Sequence, residues 1–153
     1  MSQEQQRNLE LVDKWAELYN NEGSRFVYEC YAEDVVVDCP GELLIKSREV
    51  FVAIEEGICA AAPKRWLRID RKIADGNVVV VQGTWFMPDM GDDFQTRVCS
   101  VLTFNEDGLI VNDTTYMNTA PPKDVNLPLS ADGWREETTN RFAAWKKALS
   151  SEP

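Results

Sequence analysis

Hydrophobic positions in the first 60 residues recur at helical spacing. Leu11, Val12, Trp15, Leu18 and Tyr19 form one stripe of 3.6-residue period; Ser2 and Gln5 stand before it at capping-box spacing, and Asn20-Asn21-Glu22-Gly23 ends it. Ser24 then opens a short second helix to about Tyr31, carrying Phe26, Val27 and Cys30. A strand from Val35 to Cys39 stops at Pro40-Gly41, and Ser47 can cap a third helix whose stripe of Val50, Phe51, Ile54 and Ile58 ends near Pro63.

Beyond Pro63 the period shortens to that of strands. Four are predicted, at about Trp66 to Ile73, Val78 to Met87, Phe94 to Phe104 and Leu109 to Asn118. Short Gly-bearing connections such as Ala74-Asp75-Gly76-Asn77 and Asn105-Glu106-Asp107-Gly108 join them, so they form an antiparallel meander. The order helix, helix, strand, helix, then four strands is the α+β pattern of helices packed on one face of a curved sheet. Residues 119–153 read as a separate extension. Ala120-Pro121-Pro122 and Pro128 mark an extended connector, and a helix from about Asp132 to Ser150 carries Trp134, Phe142, Trp145 and Leu149 on or near one face. That helix packs on the domain, closes a pocket mouth or meets a second subunit.

Composition narrows the chemistry. The 153 residues suit one domain, and 26 Asp plus Glu against 16 Lys plus Arg give a formal charge of -10, which would repel nucleic acid and anionic membranes. With no His, the chain lacks the imidazole required by Ser-His-Asp and Cys-His catalysis and by His-ligated metal sites. Cys30, Cys39, Cys59 and Cys99 make no CxxC pair and read as reduced core residues. No metal or cofactor is expected. The polar N-terminus and the absence of a run of roughly 20 apolar residues point to a cytoplasmic protein.

The element order, with Tyr31-Ala32-Glu33-Asp34-Val35-Val36-Val37 opening the first strand and Phe104-Asn105-Glu106-Asp107-Gly108-Leu109-Ile110 making the last hairpin, resembles the nuclear transport factor 2-like superfamily, in particular its SnoaL-like group. The resemblance spans about Leu9 to Asn118. It implies a cone-shaped curved antiparallel sheet with the N-terminal helices on its concave face, over residues 1–118, and an apolar pocket between helices and sheet. Relatives include ketosteroid isomerases, epoxide hydrolases, polyketide cyclases, dehydratases and noncatalytic domains. Their catalytic sets are not reproduced here. The isomerase base falls on Cys39, or on Asp38 after a one-residue shift, and the oxyanion-hole pair falls on Trp15 and Ser100. The Arg of the epoxide-hydrolase set maps to Gln82 and its two Asp to Thr84 and Thr115, while the histidines of scytalone-type dehydratases are absent.

Strand alternation within this alignment predicts a lumen lined by Val35, Val37 and Cys39, by Val80, Gln82, Thr84 and Phe86, by Val98, Ser100 and Leu102, and by Val111, Asp113 and Thr115, closed by Trp15 and Tyr19. Such a surface suits a small hydrophobic molecule. Asp113, a carboxyl turned into an apolar space, is the candidate base or acid; a register slip of one residue would turn it to solvent instead. Asp38 shares that ambiguity. Tyr19 is a candidate hydrogen-bond donor to a substrate oxygen, or a core residue. Lys64, Arg65, Arg68, Arg71 and Lys72 form a solvated face or neutralise nearby acidic groups. Trp85 and Met87 are expected to alternate away from the lumen beside Arg97, Cys99 and Val101, an outer face that a homodimer would cover.

The reading is a cofactor-independent proton-transfer enzyme of isomerase, cyclase or dehydratase type. Asp113, Tyr19 and Asp38 would be catalytic, and Trp15, Cys39, Gln82, Thr84, Phe86, Ser100 and Thr115 would bind a small carbonyl-bearing apolar substrate. The alternative is a noncatalytic ligand-binding or dimerisation domain of the same fold.

Overall fold

The computed structural model describes residues 1–117 and 131–150. The chain divides into two units, Met1–Pro122 and Lys123–Pro153. The first contains α1 (Gln3–Asn21), α2 (Arg25–Cys30), β1 (Tyr31–Cys39), β2 (Leu43–Ile45), α3 (Arg48–Ala61), β3 (Trp66–Asp75), β4 (Val78–Phe86), a 3₁₀ turn (Pro88–Met90), β5 (Gln95–Phe104) and β6 (Ile110–Met117). In the second, α4 runs from Ala131 to Ser150. The expected connector around Ala120-Pro121-Pro122 and Pro128 lies outside the described residues, as do the side chains of Trp134, Trp145 and Leu149. Among the described residues no helix is long and apolar enough to cross a membrane.

One six-stranded sheet carries the first unit, in the order β2-β1-β6-β5-β4-β3. The expected antiparallel meander runs from β3 to β6, and β1 joins the far side of β6 in parallel. The short β2, which pairs with the end of β1, was not expected; three residues directly after a Pro-Gly turn carry too little pattern to announce a strand. Curvature enters where one strand holds an extra residue. Asp70 interrupts the β3–β4 register between Ile69 and Arg71, and Val111 interrupts β5–β6 between Ile110 and Asn112. Such bulges bend the strand that carries them. The bulged Asp70 is held by Arg68 Nε and Thr84 Oγ1, each donating at 2.7 Å.

The helices close the concave face. Ser2 and Gln5 make the expected reciprocal cap, and Asn8, Val12, Trp15, Ala16 and Tyr19 form the buried face of α1. Leu11 and Leu18 pack at its margin. On α3, Ser47 caps as expected, but the buried face is Phe51, Val52 and Glu55, and Val50 is exposed. The helical stripe is thus rotated from the one drawn through apolar residues alone, and it carries a carboxylate inward.

α1 also shields the exposed edge of the sheet. Strand β3 has one free side, whose backbone groups would otherwise remain open to pairing. The Asn20 carboxamide accepts from the Leu67 N–H at 2.7 Å and donates to the Leu67 carbonyl at 2.9 Å, as a neighbouring strand would. Farther along, Asn8 Nδ2 donates to the Gly76 carbonyl at 3.3 Å and Lys72 Nζ to the Leu9 carbonyl at 2.9 Å. Beside this seam, Gly83 of β4 is pressed against β3: a Cβ there would lie 2.8 Å from the Arg68 carbonyl oxygen. Any side chain at Gly83 would push the two strands apart.

Replacing Asn20 with Ala should cost roughly 1–3 kcal/mol in urea unfolding, the usual range for stranding buried polar groups. A loss below about 0.5 kcal/mol would show that the edge is held by the other contacts.

Candidate functional site

Between the helices and the concave face of the sheet lies a cavity of about 190 Å³. Its wall is mainly aromatic and aliphatic, with Trp15 and Tyr19 from α1, Phe51, Ile54 and Ile58 from α3, and Leu67, Trp85 and Val98 from the sheet. The exposed lining residues Glu42 and Leu43 mark its opening at the β1–β2 turn. Of the residues expected at the site, the structure brings Trp15, Tyr19, Cys39, Ser100, Asp113 and Thr115 to this cavity.

Four others are elsewhere. Asp38 alternates with the inward-facing Val37 and Cys39 and therefore sits on the outer side of β1. Gln82, Thr84 and Phe86 lie on the outer face of β4, and Trp85, expected outside, lines the cavity. The physical reason is strand pairing. Residues directly opposite each other in an antiparallel ladder share a face; Val81 is opposite Ser100 and Gly83 opposite Val98, so Trp85 follows them inward, while Gln82 and Thr84 stand opposite the outer residues Cys99 and Arg97. The run Val78-Val79-Val80-Val81 has no alternation of its own from which to read this phase. Trp85 thus leaves the outer face, where the exposed tryptophan is Trp66, opposite Phe86 and stacked on its ring at 4.0 Å.

Asp113 is 4% exposed and stands at the centre of a directed hydrogen-bond chain. The Tyr31 hydroxyl donates to Oδ2 at 2.7 Å, and Trp15 Nε1 donates to the Tyr31 oxygen at 3.0 Å. From the other side the Thr115 hydroxyl donates to Oδ1 at 2.7 Å. Its proton being committed there, the 2.7 Å contact between Ser100 Oγ and Thr115 Oγ1 must be a donation from Ser100. Every polar proton in the chain Trp15, Tyr31, Asp113, Thr115, Ser100 thus points towards the carboxylate. Burial pushes the Asp113 carboxyl above its ordinary range, while the Thr115 and Tyr31 hydroxyls pull it back down. Burial and the adjacent Asp113 hold the Tyr31 phenol well above its usual value, so it remains a donor. Cys39 is pushed up to about 11 by burial and the nearby carboxylate, which keeps it a thiol at neutral pH.

A second buried carboxyl, unsuspected from sequence, faces the same cavity. Glu55 of α3 has a side chain only 5% exposed, and its Oε2 lies 3.7 Å from Nη2 of the equally buried Arg65. Desolvation raises the Glu55 carboxyl to about 7, against the lowering influence of Arg65 and with a small upward push from Asp113. The Arg65 guanidinium stacks 4.7 Å over the Tyr19 ring, which also has Trp85 near-parallel at 5.9 Å and Phe26 edge-on at 5.2 Å. Of the two readings of the basic segment, Arg65 takes the neutralising one. Glu55 had a signal in the sequence, since it falls four residues after Phe51 and three before Ile58, on the apolar face of α3. Tyr31 had none, because its role depends on β6 lying beside β1.

The Glu55 carboxyl sets the sign of a pH dependence. A carboxyl raised on folding binds its proton more tightly in the native state, so its contribution is full below about 4.5 and is lost as pH rises through about 7. Urea titrations should therefore show stability falling across that window by on the order of a few kcal/mol relative to Glu55→Gln, which lacks the titrating group. Parallel pH curves for the two proteins would show that Glu55 is not desolvated.

Comparison with known proteins bears on the fold. Residues 12–112 match the SnoaL-like domain family. No curated protein matches the chain. Among solved structures, an LEH-like epoxide hydrolase from M. tuberculosis superposes with a TM-score of 0.64 at 20% identity, over 75% of this chain and 85% of that one. A protein with a ketosteroid isomerase-like fold from Catenulispora acidiphila, in complex with trimethylamine, gives 0.65 at 16% identity, over 73% and 88%. An NTF2-like protein of unknown function from Cytophaga hutchinsonii gives 0.60 at 14%, over 72% and 89%. At these identities the superpositions speak to the fold. The family match covers most of the first unit, and the curved six-stranded sheet under N-terminal helices is the architecture it describes: the chain belongs to the SnoaL-like domain family of the nuclear transport factor 2-like superfamily.

Proposed function

We propose that this protein is a proton-transfer enzyme acting on a small, apolar, carbonyl-bearing molecule, with Asp113 as the base. The observation that carries the reading is the buried Asp113 carboxylate facing an apolar cavity with four side-chain donors arranged in series towards it. Donors at both oxygens hold the carboxylate in one orientation, and desolvation strengthens it as a base beyond an ordinary surface aspartate. The structural neighbours include an epoxide hydrolase and a protein of ketosteroid isomerase-like fold, which supports a pocket-based activity without naming this one.

The step is written simply. Asp113 removes a proton from the carbon next to a carbonyl; the C–H electron pair becomes a carbon–carbon double bond, and the carbonyl electrons move onto oxygen. The Tyr19 hydroxyl, buried on the cavity wall, donates to that oxygen as its charge grows. Burial and the neighbouring Glu55 hold the Tyr19 phenol above its usual value, so it donates without ionising. The proton held on Asp113 then returns to the same carbon or a neighbouring one, which completes exchange or isomerisation. Trp15 and Cys39 contact the apolar body. The cavity slightly exceeds the roughly 150 Å³ engineered cavity that holds benzene, so a single substituted ring is the size class.

Deuterium incorporation next to the carbonyl of cyclohexanone, followed by proton NMR in D₂O, should run at least about 100-fold faster with the protein than with Asp113→Asn, and Tyr19→Phe should lose roughly 10² to 10³ in rate. The wild-type rate should climb with pH through a range above that of an ordinary carboxylate, as Asp113 ionises. Binding of the ketone without any protein-dependent exchange would instead favour the noncatalytic ligand-binding reading.

A further inference from the structure

The cavity wall carries charge of one sign. Glu42 at the opening and Glu55 and Asp113 inside are its charged lining residues, and among the described residues no Lys or Arg lines it. Arg65 stands behind the wall, where it stacks over the Tyr19 ring and comes within 3.7 Å of Glu55 Oε2. One guanidinium therefore serves two buried carboxyls. Asp113 meets only neutral groups, the Tyr31 and Thr115 hydroxyls at 2.7 Å, and among the described residues no cation. A hydroxyl donor on each oxygen suits the anion, leaves its charge uncompensated and leaves each oxygen a further lone pair. Glu55 is 4% exposed, and its Oε2 accepts no hydrogen bond. Folded proteins rarely leave buried acceptors in that state.

The rest of the lining also suits a positive charge. Trp15, Tyr19, Phe26, Tyr31, Phe51 and Trp85 present their rings to the cavity. An aromatic face attracts a cation through its negative π cloud, most strongly where water is excluded. The Arg65 guanidinium, 4.7 Å from the centre of the Tyr19 ring, already makes such a contact from behind. A bare divalent cation would need about six oxygen ligands, and among the described residues no three metal-ligating side chains come together. An ammonium group on a hydrocarbon body needs less. It brings an N–H donor and a charge to the carboxyls and carbon to the rings. The cavity of about 190 Å³ limits that body to roughly one six-membered ring. A chain of formal charge -10 also draws cations towards it.

We infer that the cavity binds a small lipophilic amine in its protonated form, its N–H donating to the Asp113 carboxylate and its carbon body lying against the aromatic wall. The inference goes beyond the proton-transfer reading and does not depend on it. No covalent step is involved. An ammonium group seated on Asp113 occupies the lone pair with which that residue would act as a base. Amine and ketone therefore exclude each other, and such an amine is an inhibitor of proton exchange.

Calorimetric titration of the full chain at pH 8 compares two probes of one six-membered ring. N-methylpiperidine is a tertiary amine that cannot condense with a ketone; with a pKa near the roughly 10.4 of lysine it is protonated at this pH. Cyclohexanol is its neutral counterpart. The amine should bind at least about 10-fold more tightly, as one charge-assisted hydrogen bond in a dry site implies, and Asp113→Asn should bring the two affinities to within about threefold. Equal affinities in the wild type, or a preference that survives Asp113→Asn, would overturn the inference. Proton NOEs between the bound amine and the Trp15 indole in wild-type protein test the location whether or not Asp113→Asn folds; a bound amine without them overturns the assignment. In the deuterium-exchange assay the amine should raise the KM for cyclohexanone and leave kcat unchanged, and exchange that is indifferent to saturating amine overturns the shared site. If no ketone exchanges at all while the preference for the amine depends on Asp113, the proton-transfer reading falls and the ammonium site stands.

Discussion

A carboxylate that enters an apolar cavity must bring its hydrogen bonds with it, and much of this molecule is arranged to meet that demand at Asp113. Moving an unpaired charge from water into such surroundings costs more than a small domain's whole margin of stability. The cost is offset here by hydroxyls that come from three strands and by an indole on a helix. Tyr31 belongs to β1, Thr115 to β6 and Ser100 to β5, so the chain of donors exists only while the parallel β1–β6 pair and the antiparallel β5–β6 pair are both in register. Slippage by one residue in either would strand the carboxylate. The site and the sheet therefore hold each other in place.

The same economy of contacts runs through the helices. Trp15 and Tyr19, one turn apart on α1, both serve the cavity, one through its N–H to Tyr31 and the other through its ring between Arg65 and Trp85. Their placement follows from how α1 is tied to β3, above all by the Asn20 carboxamide on the Leu67 peptide, whose own side chain is part of the cavity wall. An edge strand that natural proteins must protect is here protected by the helix that delivers two aromatic residues to the site. Glu55 and Arg65 are joined in a comparable way. α3 ends at Ala61, and the Arg65 N–H donates to the Ala62 carbonyl at 3.1 Å, so the short turn out of α3 returns the guanidinium to the helix's own carboxyl.

Cavity residues were legible where one strand's own alternation is unambiguous. In β5, Val98, Ser100 and Leu102 were read as inward against Arg97, Cys99 and Val101; in β6, Asn112, Asp113, Thr114 and Thr115 are all polar, so the family alignment pointed Asp113 and Thr115 inward and the ladder with β5 places them there. β4 was not legible. Four consecutive valines offer no phase, and the tryptophan that follows them is compatible with either face; only its ladder with β5 decides, placing Trp85 inside and Gln82, Thr84 and Phe86 outside. Asp38 came in only through a one-residue shift of the family alignment, against the clean alternation of β1, which turns Val37 and Cys39 inward. Glu55 was passed over because a helical stripe was traced through apolar residues only, although a charged residue at that spacing is itself a signal.

Local patterning by itself determined the elements and their class: helical periodicity with caps at Ser2 and Ser47, strand alternation after Pro63, and hairpin turns at Gly76 and Gly108, where positive φ angles of 55° and 80° suit glycine. These are properties of neighbours along the chain, within reach of one another before any folding occurs. Only the tertiary structure decided which functional groups share a space. Tyr31 and Asp113 are 82 positions apart in sequence, and their hydrogen bond depends on β1 crossing to the far side of β6. The pairing of Glu55 with Arg65 likewise needs a helix to turn back on itself, and its loss of water needs the sheet beneath. Ionisation in a protein is set by desolvation and by charges a few ångströms away, and neither quantity is defined until the chain has closed on itself.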